Sequence, residues 1–377
     1  MELTLLQGCH HGGIYSANNL KYIKVDFSSN INPLGTSKKV ISKLSGKTII
    51  DLAYNYPDPK CINLKKRIID SILCDNSFNP SDNLIVGNGA TELIHYFADT
   101  FARRKSVGIS IPTFCEYELA VKRKNGKIKY FAPHKEDINF RIDYESIVRA
   151  ANDPNHELGC LFLCNPNNPT GGYFEDEILK ILEKTSKKTK ILLDESFIEF
   201  VNSNNINKKK DTNLFIRLTK DYDNLVVLRS LTKIYGLAGL RVGYAVSSKQ
   251  LMDNLTNNLI SWNVNAVAQY AAIESIKDKS HLQKTISNNT FERNRLYKLL
   301  SKIKRLRVLP THTNFYLLEV LDRINSTELY NLLLKKYGIL VRDCTSFTGM
   351  NNKFIRVAIK TKKENNLLFK ALEEIFW

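Results

Sequence analysis

The chain has 377 residues and a formal charge of +17, with 43% apolar and 25% charged residues, values that suit a globular protein of about two domains with a substantial core. No apolar run approaches the roughly 20 residues of a membrane span, and the start MELTLLQGCHHGG lacks the basic opening and long apolar stretch of a secretion signal; the expectation is a cytoplasmic protein without membrane contact. The lysines are spread along the chain, and their one short run, Lys208 to Lys210, sits among asparagines. The charge therefore reads as a solvated surface, not a nucleic-acid footprint, and its field would also draw in a small phosphorylated substrate.

In chain order, residues 1–35 are irregular and carry turn chemistry at His11-Gly12-Gly13 and from Asn30 to Gly35, as an arm lying over another surface would. Residues 36–265 read as a large domain. Strands are expected there at Leu84–Val86, Ser106–Ile111, Lys127–Phe131, Cys160–Cys164, Lys190–Leu193, Leu225–Leu228 and Val242–Val246. Helical patterns at Thr91–Ala102, Glu116–Lys124, Tyr144–Ala151 and Glu175–Lys184 fall between several of them. Strand–helix alternation predicts an α/β fold, a mostly parallel sheet between helices. Residues 266–377 read as a smaller α+β domain, with helices at Asn289–Ile303, Thr327–Lys336 and Lys363–Glu374. Its strands are expected at Arg307–Leu309, Asn314–Leu318, Ile339–Val341 and Phe354–Ile359.

Seven cysteines (Cys9, Cys61, Cys74, Cys115, Cys160, Cys164 and Cys344) are scattered and odd in number, and no pair has zinc-site spacing. The expectation is neither a disulfide nor a metal.

In such sheets chemistry gathers at the carboxyl ends of the strands, and four strand ends carry polar motifs. Gly87-Asn88-Gly89-Ala90-Thr91 opens a helix, where backbone N–H groups and the helix dipole favour an anion. Asn165-Pro166-Asn167-Asn168-Pro169-Thr170-Gly171 fixes a path that aims an asparagine. Asp194 follows an apolar run, where a carboxylate is costly unless a cation meets it. Lys233 follows another, inside LRSLTKIYGLAGLRVGY, with Ser230, Thr232 and Arg241 nearby. A phosphorylated pyridinium aldehyde would satisfy all of these. Lys233 would bond the aldehyde as an imine, and Asp194 would pair with the ring nitrogen. Ser230, Arg241 and the Ala90 and Thr91 amides would hold the phosphate, with Thr232 among the candidate contacts.

Asn168-Pro169-Thr170-Gly171, Asp194 with Phe197, and Ser230-x-x-Lys233 followed by Arg241 resemble the fold-type-I pyridoxal 5′-phosphate (PLP) enzymes of the aminotransferase class I/II group, over nearly the whole chain. The resemblance implies that Asn168 bonds the cofactor's phenolate oxygen and that Phe114 stacks on its ring. It implies that Tyr56 reaches the phosphate of the other subunit's cofactor, hence a homodimer. It also implies that Arg356 clamps a substrate carboxylate, and an arginine centred in an apolar strand needs such a bidentate partner. Two branches of the group resemble the chain, histidinol-phosphate aminotransferases and L-threonine-O-3-phosphate decarboxylases. His11-Gly12-Gly13, the segment DFSSNINPLG and Phe197, where the transaminases typically carry tyrosine, resemble the decarboxylases. That branch implies that Arg342 and Arg356 divide the substrate's phosphate and carboxylate between them. It also implies that Asn30 and the loop of His11, Gly12 and Gly13 close over the phosphate.

Overall fold

In the computed structural model, residues 11–16, 20–44, 46–155, 158–201 and 210–377 are described. Cys9, Lys208 and Lys209 lie outside the described residues. Thirteen strands are present among them. β1 is Val25–Asp26, β2 Leu84–Gly87, β3 Ser106–Ser110, β4 Lys127–Phe131, β5 Cys160–Cys164, β6 Lys190–Asp194, β7 Leu225–Ser230 and β8 Gly243–Ser247. β9 is Leu306–Val308, β10 Phe315–Val320, β11 Ile339–Leu340, β12 Arg342–Asp343 and β13 Phe354–Ala358.

Strands β2 to β8 form a seven-stranded sheet in the order β2-β8-β7-β6-β5-β3-β4. β5, β7 and β8 are buried along their whole length, as expected of strands covered by helices on both faces. One apolar cluster, with Leu161, Leu193, Val227 and Val246, covers one face. A second, with Ile109, Phe162, Leu192 and Ala245, covers the other. The alternation of these neighbours between clusters follows the period-two pleat.

The sheet is mixed through one strand, β8, which runs antiparallel to both β2 and β7. Gly243, at its start, therefore meets Gly87 at the end of β2 and Ser230 at the end of β7. Cys164, Asp194 and Leu228 stand side by side on β5, β6 and β7. One edge of the sheet thus collects the ends of four strands and the start of the fifth.

The C-terminal sheet, β12-β13-β10-β9, is antiparallel throughout. It packs with the helices Lys279–Leu300 and Lys362–Phe376 around Leu296, Tyr316, Ile355 and Leu372. The first of these helices begins ten residues before the expected Asn289, because the Asp278 side chain accepts from the His281 amide and caps it there. The single strand expected at Ile339–Val341 is two: β11 pairs with β1, and the chain then changes partner so that β12 pairs with β13. The N-terminal segment is thus anchored by the parallel pair β1–β11, with Phe27 fully buried in the C-terminal cluster.

Among the described residues, no helix is long and apolar enough to cross a membrane. The cysteine expectation needs correction: Cys115 is disulfide-bonded, while Cys61, Cys74, Cys160, Cys164 and Cys344 are free. Disulfide pairing requires Cα atoms within about 7 Å in space, which sequence spacing does not report.

Candidate active site

A cavity of about 680 Å³ opens between the carboxyl edge of the large sheet, the C-terminal sheet and the N-terminal segment. Lys233, Arg241, Phe114 and Asn168 line it and also line a smaller adjoining cavity, which Asp194 and Ser230 complete. Asp194 ends β6 and is nearly fully buried. Its Oδ2 accepts from the Tyr117 hydroxyl at 2.7 Å and its Oδ1 from the Ser196 amide at 2.8 Å. Burial raises its carboxyl above the usual range, opposed by Ser196, Tyr117 and the Lys233 ammonium. A cation at this point is what would hold it ionised.

Lys233 lies on the single helical turn Leu231–Ile234 that follows β7. Its Nζ has no hydrogen-bond partner among the described residues. Burial, then the charges of Arg241 and Arg356, push its amine down to about 8, with Asp194 pulling the other way. Beside it, Ser230 Oγ and Thr232 Oγ1 are 2.7 Å apart, both buried.

Gly89 precedes the helix Ala90–Phe101, whose first amides carry no side-chain cap. Gly89 has φ +79°, and a Cβ there would collide with the Arg241 guanidinium. A Cβ on Gly243 would lie 2.7 Å from the Ala90 amide nitrogen. Both glycines keep open a cradle of backbone N–H, hydroxyl and guanidinium donors, the chemistry of a phosphate site. Asn168 accepts through Oδ1 from Arg356, so its amide NH₂ is left to donate. The donor set, the buried carboxylate and the unpartnered amine fit PLP.

Arg342 and Arg356 stand directly opposite each other on β12 and β13. Like charges in that position repel, an arrangement that an anion between them relieves. Arg342 donates to the Asp343 carbonyl and the Ser346 hydroxyl, at 2.6 and 2.7 Å. Arg356 donates to the Ser28 carbonyl at 2.7 Å, and its Nε is buried without a partner among the described residues. Asn30, also buried, has its Oδ1 in the same state.

His11 and Gly12 line the cavity, and Gly13 sits just behind them, its amide donating to Ser28 Oγ at 2.8 Å. Phe197 is buried edge-on to Phe315, with centroids 5.2 Å apart. Of the residues expected in the site, Tyr56 alone lines neither this cavity nor one that adjoins it. It is 82% exposed, and its ring lies against that of Trp262, tilted, with centroids 4.9 Å apart.

Sequence reasoning missed Tyr117, Ser196 and Ser28, which hold Asp194 and Arg356 in place, and the hydrogen bonds that join Glu116 to His95 and to His11. Tyr117 lies in the first turn of the helix Glu116–Arg123, three residues after Phe114. Its partner, Asp194, lies 77 residues away in the chain.

A parallel-rich sheet with a lysine and an aspartate at adjoining strand ends, and a phosphate cradle beside them, defines a fold-type-I PLP enzyme. The chain matches the aminotransferase class I and II family over residues 22–372 and belongs to it; its cofactor is PLP. The histidinol-phosphate aminotransferase of Methanocaldococcus jannaschii is 33% identical over 354 residues, 93% of this chain and 89% of that protein. An L-serine phosphate decarboxylase of Campylobacter jejuni is 32% identical over 371 residues, 94% of this chain and 89% of that protein. The crystal structure of L-threonine-O-3-phosphate decarboxylase from Porphyromonas gingivalis superposes with a TM-score of 0.77 at 26% identity, covering 93% of this chain and 98% of that one.

Proposed function

We propose that the chain is a decarboxylase of L-threonine O-3-phosphate. It would release carbon dioxide and (R)-1-aminopropan-2-yl phosphate, the aminopropanol unit of cobalamin. The observation that carries this reading is the seating of the N-terminal segment. Of the stretches that resemble the decarboxylases, His11, Gly12 and residues 28–31 line the cavity, and the Ser28 carbonyl accepts from Arg356.

PLP, when bound, supplies the electron sink for the bond broken at Cα, and the protein selects which bond that is. Lys233 would hold the cofactor and afterwards deliver a proton to the carbon that has lost carbon dioxide. Asp194, oriented by Tyr117 and Ser196, would stabilise positive charge on the ring nitrogen. Ala90, Thr91, Ser230, Thr232 and Arg241 would hold its phosphate, and Phe114 would cover its ring. Asn168 would donate to its phenolate oxygen. Phe197 has no hydroxyl to offer that oxygen. Arg342 and Arg356 would take the substrate's phosphate and carboxylate, and Asn30, His11, Gly12 and Gly13 would close over the phosphate. Tyr56 would act on the partner's cofactor in a homodimer.

Histidinol-phosphate aminotransferase is the second reading, and it has specific support. Several methanogen proteins of that name match along nearly the whole chain. Histidinol phosphate has no carboxylate, so one assay separates the two. With L-threonine phosphate and no keto acid, sustained release of carbon dioxide is expected. Turnover only with histidinol phosphate and 2-oxoglutarate would establish the aminotransferase instead. Serine phosphate belongs in the same assay, because one methyl group is worth only about 1–3 kcal/mol of discrimination.

A further inference from the structure

Three side chains from separate segments meet at the mouth of the cavity. They are His11 ahead of β1, His95 on the helix Ala90–Phe101, and Glu116, the first residue of the helix Glu116–Arg123. Glu116 Oε1 lies 2.9 Å from His11 Nε2, and Oε2 lies 3.1 Å from His95 Nε2. A carboxylate can only accept, so each imidazole donates from Nε2. Glu116 is 7% exposed, whereas the His11 side chain is 48% exposed. The bonds from His11, then from His95, hold the Glu116 carboxyl down to about 2.

On charge grounds a buried carboxylate is out of place beside a cavity built for phosphate, because it would repel the ligand. Here both of its oxygens are instead occupied by the Nε2–H donors of His11 and His95. The same contacts immobilise His11. Behind it, Gly12 sits so close to the Ser28 carbonyl that any Cβ would clash. The Gly13 amide donates to Ser28 Oγ, which in turn donates to Asp26 Oδ1 at 2.6 Å. Ahead of it is Glu116, braced from the far side by His95. The His11 ring stands 5.8 Å from that of Phe114.

We propose that Glu116 is a positioning residue for phosphate capture: with His95 as its brace, it holds the His11 ring fixed at the cavity mouth as a contact to the substrate's phosphate. This rests on the reading that the His11–Gly13 segment closes over a phosphate, whichever phosphorylated substrate is turned over.

The test compares Glu116→Gln, Glu116→Asp, His11→Gln and the Glu116→Gln/His11→Gln double variant in the holoenzyme. Each is assayed with whichever of L-threonine phosphate and histidinol phosphate the wild type consumes. Failure of the decarboxylase reading thus shows in the wild type and leaves the comparison of variants intact. Inorganic phosphate serves as a competitive probe. Glu116→Gln is expected to raise KM and the phosphate inhibition constant about tenfold, the effect of losing one charge-assisted hydrogen bond, with kcat within about twofold. Glu116→Asp should recover part of the loss. The double variant should bind no worse than His11→Gln alone, because the two residues act as one unit. Additive losses in the double variant, or a fall in kcat with KM and phosphate inhibition unchanged, would overturn the proposal. If Glu116→Gln does not fold, His95→Gln makes the same comparison with a smaller shift expected, and unchanged binding there would also overturn it.

Discussion

A free lysine amine stays protonated to about pH 10.4, whereas burial, then Arg241 and Arg356, push that of Lys233 down to about 8. The sign follows directly: the neutral, nucleophilic amine is present above about pH 8 and lost as pH falls below it. Capture of PLP by the cofactor-free protein, trapped with borohydride and read by absorbance, should therefore rise with pH to a half-maximum near 8. Lys233→Ala should abolish it. A labelled peptide mapping to another lysine would remove Lys233 from its assigned role. Lys233 and Asp194 were legible in the sequence because each is a charge at the end of an apolar strand, a conflict that demands a partner. Tyr117, Glu116 and His95 were not legible. Their residue types are ordinary on amphipathic helices, and what distinguishes them is a contact with a distant segment.

Among the elements, the helix Ala90–Phe101 depends on what precedes it. Gly89 combines φ +79° with close approach of Arg241, so alanine there faces backbone strain and a collision at once. Gly89→Ala should weaken PLP binding roughly tenfold or more, since Arg241 must move, and cost about 1–3 kcal/mol of stability. A PLP titration and a melting curve measure both, and unchanged affinity would show that the cradle tolerates a Cβ. The central strands were readable almost to the residue, because burial on both faces demands continuous β-branched or apolar runs. The reversal of β8 was not, since a fully buried strand has the same pattern in either direction. That reversal is what brings Arg241, just ahead of β8, to the edge that carries Asp194 and Lys233.

For the whole molecule, an apolar surface around Tyr56 remains open to solvent. Tyr54, Ile50 and Ile260 are exposed, and the rings of Tyr56 and Trp262 pack against one another. Such a surface suits an interface, and we propose that it meets a second copy of the chain and delivers Tyr56 to the partner's cofactor. Mixing inactive Tyr56→Ala and Lys233→Ala variants should restore activity, because a mixed dimer contains one intact site. Full activity in a demonstrated monomer would exclude this arrangement.

From its own pattern the sequence determined the α/β class, the strands of the large sheet and the four motifs at their ends. These depend on local periodicity and on the cost of placing a charge beside an apolar run. Only the tertiary structure decided which charges face one another. Arg342 opposes Arg356 because the chain changes partner between β11 and β12. Glu116 meets two histidines because two helices and the N-terminal segment converge at one cavity mouth. Cys115 found a disulfide partner that no spacing announced. Each of these is a contact between residues far apart in the chain. Its energy depends on distance in space, which a linear pattern does not encode.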